Sequence, residues 1–157
     1  MLAKKLKDSE LDTLLTSDYQ SEAGQVFVPA DPRWHLSPVT SLSVEVEGVQ
    51  VAFQEEIWSY FRVALARYAS NHKADTVNNI AKYLRLIAAR QDAEFNILDE
   101  RDFLSAKVKA GKEREYQLSA IRGFLRFWHK SGLYGISDEL IEAIGKLTFQ
   151  GLSLIHI

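Results

Sequence analysis

The sequence predicts an all-α protein, a compact bundle of four to five helices that follows an N-terminal extension. From residue 54 onward, apolar residues recur at helical spacing in successive segments, and connections of about two to eight residues separate these segments. All three prolines lie before this point. These two observations divide the chain into an extension, residues 1–53, and a helical domain, residues 54–147.

The extension is predicted to contain little regular structure. A short amphipathic helix is indicated by four leucines, Leu6, Leu11, Leu14 and Leu15. Residues 26–43 hold the three prolines and are predicted to form an extended loop, from which Trp34 and His35 pack on the domain. Residues 43–53 alternate apolar and polar side chains around Glu47 and Gly48, a pattern that a small β-hairpin would produce.

The helical domain is predicted to contain helices at residues 54–70, 76–91, 98–110, 114–133 and 137–147. Their starts carry suitable residues. Glu55 and Glu56 favour the first helix start, Asp75 is the predicted N-cap of the second helix and Ser137 that of the fifth. The third helix has few apolar residues, so it is predicted to be peripheral.

The fourth predicted helix has two chemically different sides. Its apolar stripe consists of Leu118, Ile121, Phe124, Leu125 and Trp128. Its basic face consists of Ser119, Arg122, Arg126 and Lys130. Gly132 follows the last apolar position and is predicted to turn the chain out of the helix. One side can therefore be buried while the other contacts an anion.

A second basic face is predicted on the helix at residues 76–91, where Asn78, Lys82 and Arg85 share one side. Lysine and arginine suit DNA phosphates, and asparagine and serine can reach base edges. The candidate DNA-binding residues are Lys73, Asn78, Lys82, Arg85, Arg114, Ser119, Arg122, Arg126 and Lys130. The alternative is that both faces are only solvated and bind no DNA. Gly123 either allows close approach of another backbone or eases helix packing.

The charge distribution supports a polyanion as partner. The chain has a formal net charge of −2, yet residues 71–130 carry twelve Lys and Arg against eight Asp and Glu. Residues 1–70 carry six against ten. The basic residues are thus concentrated in the segment that holds both basic faces.

Several other classes of function have no signal in the sequence. There is no cysteine, the four histidines lack metal-ligand spacing, and the glycines do not form a phosphate-binding loop. We therefore predict no catalytic residue, no metal and no cofactor. No apolar run is long enough to span a bilayer and the N-terminus lacks a signal-peptide pattern, which predicts a cytoplasmic protein without a membrane partner.

Three consecutive segments carry a family resemblance. They are FRVALARYASNHKADTVNNIAKYLRLIAAR at residues 61–90, ILDERDFLSAKVKAG at 97–111 and REYQLSAIRGFLRFWHKSGL at 114–133. Their order resembles the N-terminal core-binding domain of tyrosine recombinases, the phage-integrase family, over about residues 54–147. The matching positions are Thr76, Tyr83 and Leu86 or Ile87 in the second helix, and Ser119, Ala120, Ile121, Arg122, Phe124, Phe127 and Gly132 in the fourth.

The resemblance implies a helical SAM-like fold that clamps recombination-site DNA, with the second and fourth helices against the major groove. It also implies that other recombinase protomers assemble on the DNA with the full-length protein. In the family, strand cleavage belongs to a separate C-terminal domain. No histidine here is followed three residues later by arginine, so we predict that the catalytic domain is absent and that this fragment is not itself an enzyme.

The C-terminal residues are predicted to lie outside the domain. Residues 148–151 would begin the linker to the missing catalytic domain. Residues 152–157, LSLIHI, correspond to the translation of a sequencing adapter and are expected not to be biological.

Two further readings of the helical domain compete with DNA clamping. In the first, the domain is a protein–protein interaction module that docks a partner through exposed aromatic residues, namely Trp58, Tyr60, Tyr116 and Phe127. The second is a helix-turn-helix regulator, which the long connection between the second and third predicted helices disfavours.

Overall fold

The computed structural model describes residues 3–38, 43–49, 53, 55–89, 96–99, 102–103 and 112–145, with the backbone alone for residues 112–115. Across these residues the protein is mostly helical, as the sequence predicts. The helices are α1 (Asp8–Thr16), α2 (Glu55–Ala69), α3 (Ala74–Ala88), α4 (Lys112–Lys130) and α5 (Asp138–Gly145).

Two short antiparallel sheets precede α2, so the chain is not strictly all-α. The first pairs β1 (Tyr19–Gln20) with β2 (Val26–Phe27). The second pairs β3 (Arg33–Trp34) with β4 (Val44–Glu45). We refer to residues 19–49, within the described ranges, as the N-terminal layer.

The prediction of an extended loop at residues 26–43 is wrong, because β2 and β3 lie in this segment. Proline lacks a backbone N–H group but keeps its carbonyl group as an acceptor. The carbonyl oxygen of Pro32 accepts hydrogen bonds from the backbone N–H groups of Val46, at 3.0 Å, and Glu47, at 3.2 Å. A proline beside β3 thus contributes to the pairing instead of preventing it.

The first strand of the hairpin predicted at residues 43–53 pairs with a different strand in the structure. Its first half forms β4, which pairs with the preceding strand β3. At Gly48 the chain turns with a φ of 91°, a conformation that favours glycine. The predicted second strand falls largely at residues 50–52, outside the described residues.

The N-terminal layer contributes to the same hydrophobic core as the helices. Its largest buried side chain is Trp34, whose ring packs 4.9 Å from that of Phe27. The prediction that Trp34 packs on the domain is confirmed, but the same prediction for His35 is wrong, since His35 is exposed. Side chains of extended backbone alternate in direction, so Trp34 and Leu36 point inward and His35 outward.

The helix α2 lies at the centre of the bundle and is buried on most sides. The rings of Phe61 on α2 and Phe124 on α4 meet edge to face, with their centroids 5.8 Å apart. The apolar stripe of α4 is fully buried, which confirms the predicted pattern. After α4 the chain turns at Gly132 with a φ of 75°, as the sequence predicts.

Of the two N-caps predicted from the sequence, Ser137 is confirmed and Asp75 is wrong. The backbone N–H group of Leu140 donates to Oγ of Ser137, so Ser137 caps α5 as expected. Asp75 is not the N-cap of α3, because the helix already begins at Ala74 after Lys73. Asp75 lies in the first turn, where a carboxylate still interacts favourably with the helix dipole.

Much of the third predicted helix, at residues 98–110, lies outside the described residues, which are helical at Asp102 and Phe103. Phe103 is fully buried, so this segment reaches the core at one point at least. The predicted linker at 148–151 and the predicted adapter translation at 152–157 also lie outside the described residues. No helix in the described part of the chain is long and apolar enough to cross a membrane.

Candidate nucleic-acid interface

The predicted basic face of α4 is directed away from the core. Burial of the apolar stripe fixes the rotation of the helix, so the residues on the opposite side point outward. Arg126 and Lys130 are exposed, whereas Ser119 and Arg122 are partly exposed. Gly123 is exposed among them. The core thus determines the direction in which these side chains leave the helix.

Arg122 and Arg126 lie one helical turn apart and influence each other electrostatically. Partial burial lowers the pKa of the Arg122 guanidinium, and the positive charge of Arg126 lowers it further. The Arg122 guanidinium remains charged, because arginine does not lose its proton in proteins. Two like charges held this close would be stabilised by an anion between them.

Helix α5 lies beside the basic face of α4. A Cβ atom added to Gly145, the last residue of α5, would lie 3.8 Å from Nη2 of Arg126. The C-terminal end of a helix carries partial negative charge, so Arg126 is also favourably placed toward α5. At the other end of α5, His129 Nε2 lies 2.9 Å from Oδ1 of Asp138. The contact between His129 and Asp138 joins the last turn of α4 to the start of α5.

The second basic face lies on α3 and is partly occupied by the N-terminal layer. Lys82 is exposed and Asn78 partly exposed. Arg85 instead donates a hydrogen bond of 2.7 Å from Nη1 to the backbone carbonyl oxygen of Glu45 in β4. Arg85 is therefore engaged in holding β4 against α3.

The two remaining candidate residues, Lys73 and Arg114, lie near the N-terminal ends of α3 and α4. Lys73 is exposed and immediately precedes α3. Arg114 lies in the first turn of α4, and its side chain is outside the described part of the structure. Helices α3 and α4 pack directly against each other. Their basic residues nevertheless have different neighbours, since Arg85 is hydrogen-bonded to β4 and the guanidinium of Arg126 lies near the end of α5.

One arginine with a clear role was not assigned from the sequence. Arg62 of α2 donates to three carbonyl oxygens of the N-terminal layer: to Pro29 at 2.7 Å, to Ala30 at 2.9 Å and to Asp31 at 2.6 Å. Its pKa is lowered by burial, against which the charges of Glu47 and Asp31 act. The segment YFRV, in which aromatic and apolar residues flank the arginine, is the signal that could have indicated a structural role.

The aromatic residues of the predicted docking surface are mostly part of the core. Tyr60 is buried and its hydroxyl accepts a hydrogen bond of 2.8 Å from the backbone N–H group of Leu6. Trp58 stacks on Phe61, and Phe127 packs on Tyr68 at a centroid distance of 5.2 Å. Tyr116 is the exception, with 63% of its surface exposed.

The described residues contain no group of three or more histidine, aspartate or glutamate side chains placed to hold a metal ion. Comparison of the chain with protein-family models finds no match. Comparisons with the curated proteins and with the solved structures find no similar protein.

Proposed function

We propose that this chain is the DNA-binding N-terminal part of a site-specific tyrosine recombinase, with a SAM-like arrangement of its helices. Duplex DNA would lie against the outward faces of α3 and α4. The observation that carries the proposal is the outward face of α4, where Arg126 and Lys130 are exposed opposite a fully buried apolar stripe. Cations on a helix fixed by the core suit a ligand with regularly spaced phosphates.

The residue types on the two faces are suited to two different kinds of DNA contact. Arg122, Arg126 and Lys130 would contact phosphates on α4, and Lys73 and Lys82 would do so at α3. The side chains of Asn78 and Ser119 can hydrogen-bond to base edges once the helices lie in a major groove. Phosphate contacts would supply most of the affinity, whereas the polar residues would supply the sequence preference.

The net charge of −2 is compatible with this function because the charges are segregated. The segment with α3 and α4 is basic, and the segment with the N-terminal layer is acidic. The local potential at the exposed cations of α3 and α4 would consequently be more positive than the net charge suggests.

We assign DNA binding, and no catalysis, to this chain. In the tyrosine recombinases that it resembles, a second domain cleaves the strand and both domains surround the DNA. A fragment with one of two linked binding surfaces loses the gain in effective concentration that the second surface provides. The isolated chain would bind DNA more weakly than the complete recombinase, whose protomers assemble on the site.

The proposal can be tested by titrating fluorescein-labelled duplex DNA with the protein and following anisotropy at several salt concentrations. Replacement of Lys130 by alanine should weaken binding and lower the salt slope by about 0.9 if one phosphate contact is lost. Lys4→Ala is the matched control, since Lys4 is exposed in the N-terminal segment and its loss changes the net charge equally. Thermal unfolding should be unchanged in both variants.

Two outcomes would overturn the proposal. One is a wild-type protein that binds duplex DNA no better than a neutral protein at low salt. The other is an equal effect of Lys130→Ala and Lys4→Ala, which would mean that net charge alone matters and that the faces are merely solvated.

The alternative of an aromatic docking surface has less structural support. Of the four aromatic residues that the sequence offers for it, Trp58, Tyr60 and Phe127 pack in or against the core. Their truncation would reduce stability whatever the partner. Tyr116→Ala is the informative variant, because Tyr116 is exposed and its loss would affect docking without opening a cavity.

A further inference from the structure

Gly123 lies in the middle of α4, where glycine is an unfavourable residue. Glycine in a helix interior is less stable than alanine because it loses more conformational freedom on folding. The backbone does not require glycine at this position. The glycines with positive φ among the described residues are Gly24, Gly48, Gly132 and Gly135, and Gly123 is not one of them.

Internal packing does not require glycine at this position either. A Cβ atom added to Gly123 would have no atom within 4 Å among the described residues. The next residue, Phe124, is fully buried, and Gly123 itself is exposed on the outward side of the helix. Of the two explanations that the sequence leaves open, easier helix packing is thereby excluded for the described part of the protein.

The surroundings of Gly123 are those of a contact surface. Ser119 lies one turn before it, Arg126 about one turn after it and Lys130 about two turns after it. Gly123 is therefore a gap in a row of polar and cationic side chains. The row from Ser119 to Lys130 extends about 16 Å along the helix, which is several times the ~3.4 Å that one strand advances per nucleotide.

We propose that Gly123 is the point at which α4 comes closest to a DNA strand, with the sugar–phosphate backbone passing over the gap. In this arrangement Arg126 and Lys130 bind the phosphates on one side of the gap, and Ser119 lies on the other side, where its hydroxyl can reach a base edge. The absence of a side chain lets the helix backbone approach the strand more closely than any other residue would allow. This inference rests on the proposed function and specifies where the strand runs.

The inference can be tested with Gly123→Ala and Gly123→Leu in the same DNA-binding titration. Both residues favour a helix more than glycine does, so the melting temperature should rise, by about 2–4 °C for alanine. DNA affinity should fall in order of side-chain size, by about fivefold or more for leucine, as expected for a side chain forced into a close contact. A combination of higher stability and weaker binding separates this effect from a folding defect.

Ser9→Leu provides the matched control, since Ser9 is exposed on α1, a helix without a proposed DNA contact. It should leave affinity unchanged. If the wild-type protein binds duplex DNA with a salt slope and the Gly123 variants bind equally well, the close approach at Gly123 is refuted while the proposed function stands. If the wild-type protein does not bind duplex DNA, the proposed function fails and this inference fails with it.

Discussion

Arg85 of α3 donates a hydrogen bond to the backbone carbonyl oxygen of Glu45, and this bond joins the bundle to β4 of the N-terminal layer. Gly48, three residues further, lies over the same side chain, since an added Cβ atom would be 3.9 Å from Cδ of Arg85. On α2, Arg62 makes the corresponding contacts with the carbonyl groups of residues 29–31. Two helices thus hold the layer through arginine side chains and neutral backbone acceptors.

Arg62→Ala should destabilise the protein by about 2 kcal/mol, because hydrogen bonds from a charged donor to three carbonyl groups are lost. Chemical denaturation followed by far-UV circular dichroism measures this change. Arg67→Ala on the same helix is the matched control and should change stability by less than about 0.5 kcal/mol, as is usual for substitutions away from such contacts. Equal effects of the two substitutions would show that the contacts of Arg62 contribute little.

Trp34→Ala should cost about 3–5 kcal/mol, the range for truncating a large buried aromatic side chain. Trp34 is fully buried and its Nε1 donates to the carbonyl oxygen of Asp31. If the N-terminal layer folds together with the bundle, unfolding should remain a single transition at a lower denaturant concentration. A separate early transition with unchanged stability of the helices would contradict a shared core.

Gly135→Ala should be much more damaging than Gly132→Ala, although both glycines follow α4 and have positive φ. A Cβ atom on Gly135 would lie only 2.5 Å from Cζ2 of Trp128, whereas one on Gly132 meets no described atom within 4 Å. We expect a loss of more than about 3 kcal/mol at Gly135 and about 1 kcal/mol at Gly132, where only the backbone conformation is penalised. Denaturation curves monitored by tryptophan fluorescence give both values. Similar losses would mean that Trp128 moves aside readily.

The sequence predicts the parts of this structure that depend on local periodicity. The apolar stripe of α4 repeats every three to four residues from Leu118 to Trp128, so its burial follows from helix geometry. The pairing of β3 with β4 could not be predicted in the same way, since each strand has two residues and the partner is chosen by tertiary contacts.

The same limit applies to the candidate site. The outward direction of Arg126 and Lys130 follows from the helical pattern, but the engagement of Arg85 with Glu45 does not, because the two residues are 40 positions apart. Arg62 is a similar case, with acceptors more than 30 residues earlier in the chain. Charge and periodicity identify basic faces, whereas they do not identify which arginines already have acceptors within the protein.

Because Arg85 is hydrogen-bonded to Glu45, its replacement should affect DNA binding less than replacement of Lys82 on the same face. Lys82 is exposed, so Lys82→Ala should reduce the salt slope of DNA binding by about 0.9, the value for one phosphate contact. Arg85→Ala should reduce the slope less, since its guanidinium is held by Glu45, and should instead lower stability by about 1 kcal/mol. Parallel anisotropy and denaturation measurements on the two variants decide the matter. A full loss of slope in Arg85→Ala with unchanged stability would mean that Arg85 leaves Glu45 to bind DNA, and that α3 contributes its whole basic face to the complex.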